Sequence, residues 1–156
     1  ALTIAPYMGS DSVEPFLTHS NKWAVVLALT SNEGAKDFQF LSSEGQVPLF
    51  ESVVKKCLNW GSAENLMFVV GATRSQDIAK IRALAPDHFF LVPGVGAQGG
   101  SLEEVVQYGM NADCGLLVNS SRGIIYADSS KDFAIAAKKE ASKIQSAMEL
   151  HLRRFH

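Results

Sequence analysis

The chain has 156 residues, 47% of them hydrophobic and 19% charged, a balance that fits one packed domain and excludes a disordered tail. Fourteen Lys and Arg against sixteen Asp and Glu leave a net charge of -2, which gives no electrostatic case for a nucleic-acid partner. No apolar run approaches the ~18–20 residues of a membrane span, so no membrane role is expected.

An apolar, β-type segment opens at the second residue with no initiator Met, and Ala1-Leu2-Thr3-Ile4-Ala5-Pro6 lacks the features of a signal peptide. This reads as a trimmed terminus or as a larger protein without its front part. Five near-continuous apolar runs are expected to be strands: Leu2–Ala5, Trp23–Leu29, Leu66–Val70, His88–Val92 and Gly115–Val118. Runs without alternation suit strands covered on both faces, as in a parallel sheet. Between them, Phe50, Val53, Val54, Cys57 and Leu58 recur at helical spacing, and Gly61 supplies a stop. Ile78, Ile81 and Leu84 follow a candidate cap at Ser75 and end before Pro86. Leu102, Val105 and Val106 follow Ser101, with Glu104 at the capping-box position. The last and longest helix carries a stripe of Phe133, Ala137, Ala141, Ile144 and Met148, with Lys138, Lys139, Glu140 and Lys143 mostly off it as a solvated face. The alternation is α/β. An open doubly wound sheet and a (β/α)8 barrel both fit. A complete barrel takes about 250 residues, and five-eighths of that is roughly 156.

Either fold builds its site on the loops after strand C-termini. Those loops are rich in Gly and small polar residues, whereas the opposite ends carry ordinary linkers such as Ala85-Pro86-Asp87. The fourth holds Gly94, Gly96, Gly99 and Gly100 and then opens a capped helix, a setting in which backbone amides and the helix dipole can meet a phosphate. One strand later comes Arg122, the only cation between Arg82 and Lys131, which can clamp phosphate oxygens. The same residues could serve turns and a helix cap. Gly94-Val95-Gly96-Ala97-Gln98-Gly99 also satisfies the dinucleotide fingerprint, but Asp113, at about the right distance for its acid, precedes the next strand instead of ending it. Ser31, just past a buried strand, is either a turn serine or a group that reads a heterocycle's edge. His19, His88, His151 and His156 show no ligand spacing. Cys57 and Cys114 read as core thiols of a reduced, cytoplasmic protein, and no metal or nucleophile-elbow motif occurs.

Together the segments Ala5-Pro6-Tyr7-Met8-Gly9-Ser10-Asp11-Ser12, Leu29-Thr30-Ser31-Asn32-Glu33-Gly34, Val69-Val70-Gly71-Ala72-Thr73, Leu91–Gly100 and Val118-Asn119-Ser120-Ser121-Arg122-Gly123-Ile124 resemble orotidine 5′-phosphate decarboxylase, most closely its longer bacterial subgroup. The resemblance covers nearly the whole chain. It implies the C-terminal five β/α units of a (β/α)8 TIM barrel, with residues 1–156 forming strands four to eight of a single catalytic domain. It implies a homodimer that converts orotidine 5′-monophosphate (OMP) to UMP and CO2 in pyrimidine biosynthesis, without cofactor or metal. By matched position, Ser31 would bond the pyrimidine, and Gln98 would bridge base and phosphate. Arg122 would hold the phosphate, helped by Pro93, Gly94, Gly96 and Gly123. The family's Asp-x-Lys-x-x-Asp array, whose Lys protonates the carbanion left by CO2, is absent from these 156 residues. The nearest strings are Asp77-Ile78-Ala79-Lys80 and Asp128-Ser129-Ser130-Lys131-Asp132. No catalytic residue is therefore expected in this chain, which alone should be inactive and should need the N-terminal part of the barrel, possibly as a separate chain. A phosphate-ligand binding module and another phosphosugar barrel enzyme (an isomerase, synthase or aldolase) are the alternatives. The long connection from Gly34 to Pro48 is a candidate lid.

Overall fold

The structure is a computed structural model that describes residues 1–42, 46–96 and 99–155. Five strands alternate with helices in the order β1 (Leu2–Ile4), a 3-10 turn (Pro6–Met8), α1 (Ser10–Leu17), β2 (Ala24–Leu29), α2 (Ala35–Phe38), α3 (Leu49–Cys57), β3 (Leu66–Val70), α4 (Ser75–Leu84), β4 (Phe90–Pro93), α5 (Leu102–Gly109), β5 (Leu116–Asn119), α6 (Ser121–Ile125) and α7 (Phe133–Phe155). All five apolar runs are strands, within two residues of the expected bounds. α1, α2 and α6 are additional. Their short patterns are obscured by Pro15 inside α1 and by the four and five residues of the other two.

The strands pair in parallel in sequence order, β1-β2-β3-β4-β5. This order separates the two folds left open by the sequence. A doubly wound sheet reverses its strand order and carries helices on both faces. Here Val13 of α1, Phe50, Val54 and Cys57 of α3, Ile78 and Ile81 of α4 and Val105 of α5 all pack into one cluster with Val26, Phe68, Phe90 and Val92. The register puts Val26, Phe68, Phe90 and Leu116 in one row on that covered face. The opposite face carries Val25, Met67 and Val69 with Trp23, Leu27, Phe89 and Leu91, and no helix residue joins that cluster. Helices on one face of a sequentially ordered parallel sheet are consecutive β/α units of a barrel wall. At the β5 edge the inner row ends in Leu117, 54% exposed.

Ser101 accepts a hydrogen bond from the Glu104 amide, as its position before α5 predicts. Ser75 does not cap α4: the N-cap residue is Arg74, and its side chain makes no cap bond. On α7, Ala137, Ala141, Ile144 and Met148 are half-buried but Phe133 is exposed, so the packed stripe begins one turn later than expected. Cys57 is fully buried, and burial pushes its thiol up to about 12, which keeps it protonated and inert. Cys114 is only half-buried and adopts a positive φ of 72°.

One cation holds the lower rim together. The Arg82 guanidinium donates from Nε to the Gly109 carbonyl (2.8 Å), from Nη1 to the carbonyls of Ala85, Pro86 and His88 (3.0, 3.0 and 2.7 Å), and from Nη2 to that of Gly115 (2.9 Å). It also lies 3.8 Å from the Phe90 ring centroid. These carbonyls belong to the ends of α4 and α5 and the entries to β4 and β5; that of Gly115 also accepts from the Phe90 amide (2.9 Å) and that of Pro86 from Asn111 Nδ2 (2.8 Å). Burial lowers the Arg82 pKa to about 10, so the group stays charged at neutral pH. Replacing Arg82 with Met should cost roughly 3–5 kcal/mol in denaturant unfolding, because several carbonyls lose a charged donor at once. A loss below about 1 kcal/mol would show that water replaces it.

His88 is buried against Phe68, and burial lowers its pKa below the ordinary imidazole value, with the nearby Arg82 charge adding to this and Asp87 opposing it. The folded chain therefore holds His88 neutral while the unfolded chain takes up a proton. Its contribution to stability is complete above pH ~6.5 and is lost as pH falls from there toward the folded pKa. His88→Leu should flatten the pH dependence of the unfolding midpoint in that window. An unchanged slope would assign it to other groups.

Candidate functional site

The candidate residues gather at the C-terminal ends of the strands, where the sheet continues as a rim. Gly71 N–H donates to Leu29 O and Ala72 N–H to Pro93 O (both 2.9 Å), and Gly94 N–H to Asn119 O (3.3 Å). These bonds carry the sheet's spacing past the strands and set the four loops side by side.

At β2 the register shifts between Leu27 and Leu29, so Ala28 and Leu29 both join the helix-facing core. Such bulges re-aim the residues beyond them. Thr30 and Ser31 follow directly. Ser31 Oγ is buried and, among the described residues, has no hydrogen-bond partner. It packs over the bare Cα of Gly71. A Cβ there would overlap Ser31 Oγ and stand 2.7 Å from the Ser31 amide nitrogen.

At β4, Gly94, Gly96 and Gly99 have φ of +97°, +77° and +84°, values open to glycine and costly for other residues. The loop closes on itself: Gly96 N–H donates to Gly100 O (3.0 Å), Gly100 N–H to Gly94 O (3.2 Å) and Gly99 N–H to Gly96 O (2.8 Å). Gly100 in turn lies so close to Ala72 that no side chain fits. The amides of Gly94 and Gly96 are thus engaged inside the rim in this structure, where the sequence reading had them free to meet an anion. Gln98 lies outside the described residues. The loop's closure on Gly100 also differs from a dinucleotide-binding βα turn, which opens directly into its helix.

At β5, Ser120 turns its hydroxyl away from α6 and donates to the Val95 carbonyl (3.2 Å), a buried bond that fastens this loop to its neighbour. Arg122 and Gly123 lie in the first turn of α6, whose N-cap side chain makes no cap bond, so the amides of that turn lack intrahelical acceptors. Arg122 is exposed, and among the described residues its guanidinium has no hydrogen-bond or ion-pair partner. Pro93, Gly94 and Val95 face Ser120, Ser121 and Arg122 across a pocket of about 50 Å³. The structure therefore brings Pro93, Gly94 and Arg122 together. It leaves Ser31 on the same rim but three strands away, about 14 Å along the sheet.

Two further residues at this mouth escape sequence reasoning. The Arg74 guanidinium, just past β3, stacks 5.0 Å from the Phe40 ring centroid, its Nε buried without a hydrogen-bond partner among the described residues. Its signal was a cation directly after Gly71-Ala72-Thr73. Gln39 grips Thr30 through two side-chain bonds, a contact no local spacing announces. Both tie down the connection from Gly34 to Pro48, of which residues 43–45 lie outside the described set. A wider cleft of about 700 Å³ opens at the opposite end of the sheet, among Thr18, Asn21, Trp23 and Asn65, and contains none of the candidate residues. Among the described residues no group of His, Cys, Asp and Glu could hold a metal ion, and no helix is long and apolar enough to cross a membrane.

Residues 1–137 match the family described as "Orotidine 5'-phosphate decarboxylase / HUMPS family". The chain is 56% identical over 149 residues to the orotidine 5′-phosphate decarboxylase of Phocaeicola vulgatus, covering 96% of this chain and 55% of that protein. It is 57% identical over 152 residues to that of Christiangramia forsetii, covering 96% and 56%. Among solved structures, Leishmania donovani OMP decarboxylase superposes with a TM-score of 0.76 at 38% identity, over 92% of this chain and 55% of that one. Leishmania donovani UMP synthase gives 0.78 at 42% identity, over 92% and 32%. The chain thus spans about half the length of the curated relatives it matches.

Gly71→Ala should expel Ser31 from its seat and lower stability by about 1–3 kcal/mol in thermal unfolding, the usual cost of overpacking. A neutral substitution would mean that the β2 loop yields freely.

Proposed function

Because the chain belongs to the orotidine 5′-phosphate decarboxylase / HUMPS family, we propose that it forms strands four to eight of one (β/α)8 catalytic domain that decarboxylates OMP to UMP. In this reading the preceding β/α units, on the same polypeptide or a separate one, close the barrel and supply the Asp-x-Lys-x-x-Asp array. The working form is a cytoplasmic homodimer that uses neither metal nor cofactor.

The observation that carries the reading is the unpartnered Arg122 guanidinium beside the Pro93–Gly94 wall, on one rim with the unpaired hydroxyl of Ser31. Arg122 holds the 5′-phosphate, with the Gly123 amide as a second donor. Pro93, Gly94 and Gly96 shape the wall, Gln98 bridges toward the base, and Ser31 bonds the pyrimidine. The separation of Ser31 and Arg122 by three strand spacings suits a ligand with a polar ring at one end and an anion at the other. When the bond between the pyrimidine ring and its carboxylate breaks, the electron pair stays on the ring carbon and CO2 leaves. The array's Lys then delivers a proton to that carbon. This chain's residues take no proton. They fix both ends of the nucleotide, so that phosphate binding far from the reacting carbon contributes to positioning and closure. An unpaired hydroxyl at the base end favours this reading over a plain phosphosugar ligand, which would leave Ser31 empty.

In the complete barrel, Arg122→Ala should weaken UMP binding by about 2–5 kcal/mol in titration calorimetry, the range for removing one partner of a buried charge pair. Unchanged affinity would show that Arg122 does not meet the phosphate.

A further inference from the structure

Ser31 is held from two sides. Gly71 gives it room from below, and Gln39 fixes the residue before it. The Gln39 side chain grips Thr30 with both of its ends: Oε1 accepts from the Thr30 amide and Nε2 donates to Thr30 Oγ1, both at 2.8 Å. Thr30 Oγ1 then donates to Asn32 Oδ1. This chain of donors has one sense. A Thr30 hydroxyl that accepts from Gln39 is free to donate to Asn32, so the carboxamide orientation and the Thr30 rotamer fix each other. Gln39 is itself anchored, because its amide donates to Ala35 O (2.8 Å) and its carbonyl accepts from Phe50 N–H (3.0 Å) at the first turn of α3. The peptide leading into Ser31 is therefore registered against α3, across a loop of nine residues. Nothing in this clasp touches the Pro93–Arg122 pocket, which sits two to three strands away.

We infer that Gln39 is a positioning residue for Ser31, and that through it α3 sets recognition of the base without affecting recognition of the phosphate. The inference rests on the reading of Ser31 given above. It predicts a selective defect. Gln39→Leu keeps the bulk and removes both bonds. Gln39→Glu keeps an acceptor for the Thr30 amide but turns the Thr30 hydroxyl into a donor to the carboxylate, breaking its bond to Asn32.

The test uses the complete barrel and two probes, UMP and ribose 5-phosphate, which lacks the base. Each Gln39 variant should bind UMP roughly tenfold more weakly than the parent and ribose 5-phosphate equally well. Ser31→Ala should show the same pattern, and the Ser31→Ala/Gln39→Leu double variant should lose no more than either single change, since both act through one hydrogen bond. Circular dichroism checks that each variant folds, and Gln39→Glu carries the test should Gln39→Leu fail to do so. Equal weakening of both probes, unchanged UMP binding in the variants, or additive losses would overturn the inference. A parent barrel with no preference for UMP over ribose 5-phosphate would instead overturn the proposed function itself.

Discussion

A parallel sheet with helices on one face only leaves the other face as apolar as a core. Val25, Leu27, Met67, Val69, Phe89 and Leu91 line that face, and the remaining features follow from what it requires. Strands in sequence order curl this face inward, the geometry of a barrel wall, whose interior is such a face. The same order puts every strand's C-terminal end on one rim. Ser31, Gly71, Gly94 and Arg122 come from four different strand exits and stand on one rim for that reason.

The two rims divide the work. At the lower rim Arg82 gathers carbonyls from four element ends, and His88 is buried neutral beside it. Arg82 is used by the fold, whereas both ring nitrogens of His88 are buried without a hydrogen-bond partner among the described residues. At the upper rim, among the described residues, the Ser31 hydroxyl and the buried Arg74 Nε have no hydrogen-bond partner and the exposed Arg122 guanidinium has no ion-pair partner. Unsatisfied buried polar groups are costly; the Ser31 hydroxyl and the Arg74 Nε lie at the upper mouth, where a ligand can complete them, whereas the His88 nitrogens at the other rim lie beside the Phe68 ring.

The strands and the main helices were legible in the sequence because each is announced by a local pattern, an apolar run or a three- and four-residue spacing. The rim loops were legible because Gly and small polar residues cluster after every strand, and the family resemblance rests on those same loops. What could not be read was everything that depends on distant backbone. Arg82 bonds only to carbonyls, which no sequence pattern marks. Gly71 matters through a serine forty residues earlier, and Gln39 through a threonine nine residues before it. The loop amides of Gly94 and Gly96 looked available because glycine says nothing about which carbonyl its N–H will find. Ser75 resembled a cap by type, but the chain enters α4 at Arg74.

The central claim is that this chain holds the ligand-gripping part of a decarboxylase barrel and that the proton donor comes from β/α units outside it. Turnover of OMP by the 156-residue chain, alone and after mixing with the N-terminal β/α units of a relative, tests it most directly. The account predicts no CO2 release from the chain alone and decarboxylation once the two parts combine. Release of CO2 by the chain alone, or a combined barrel that binds UMP and turns over nothing, would contradict it.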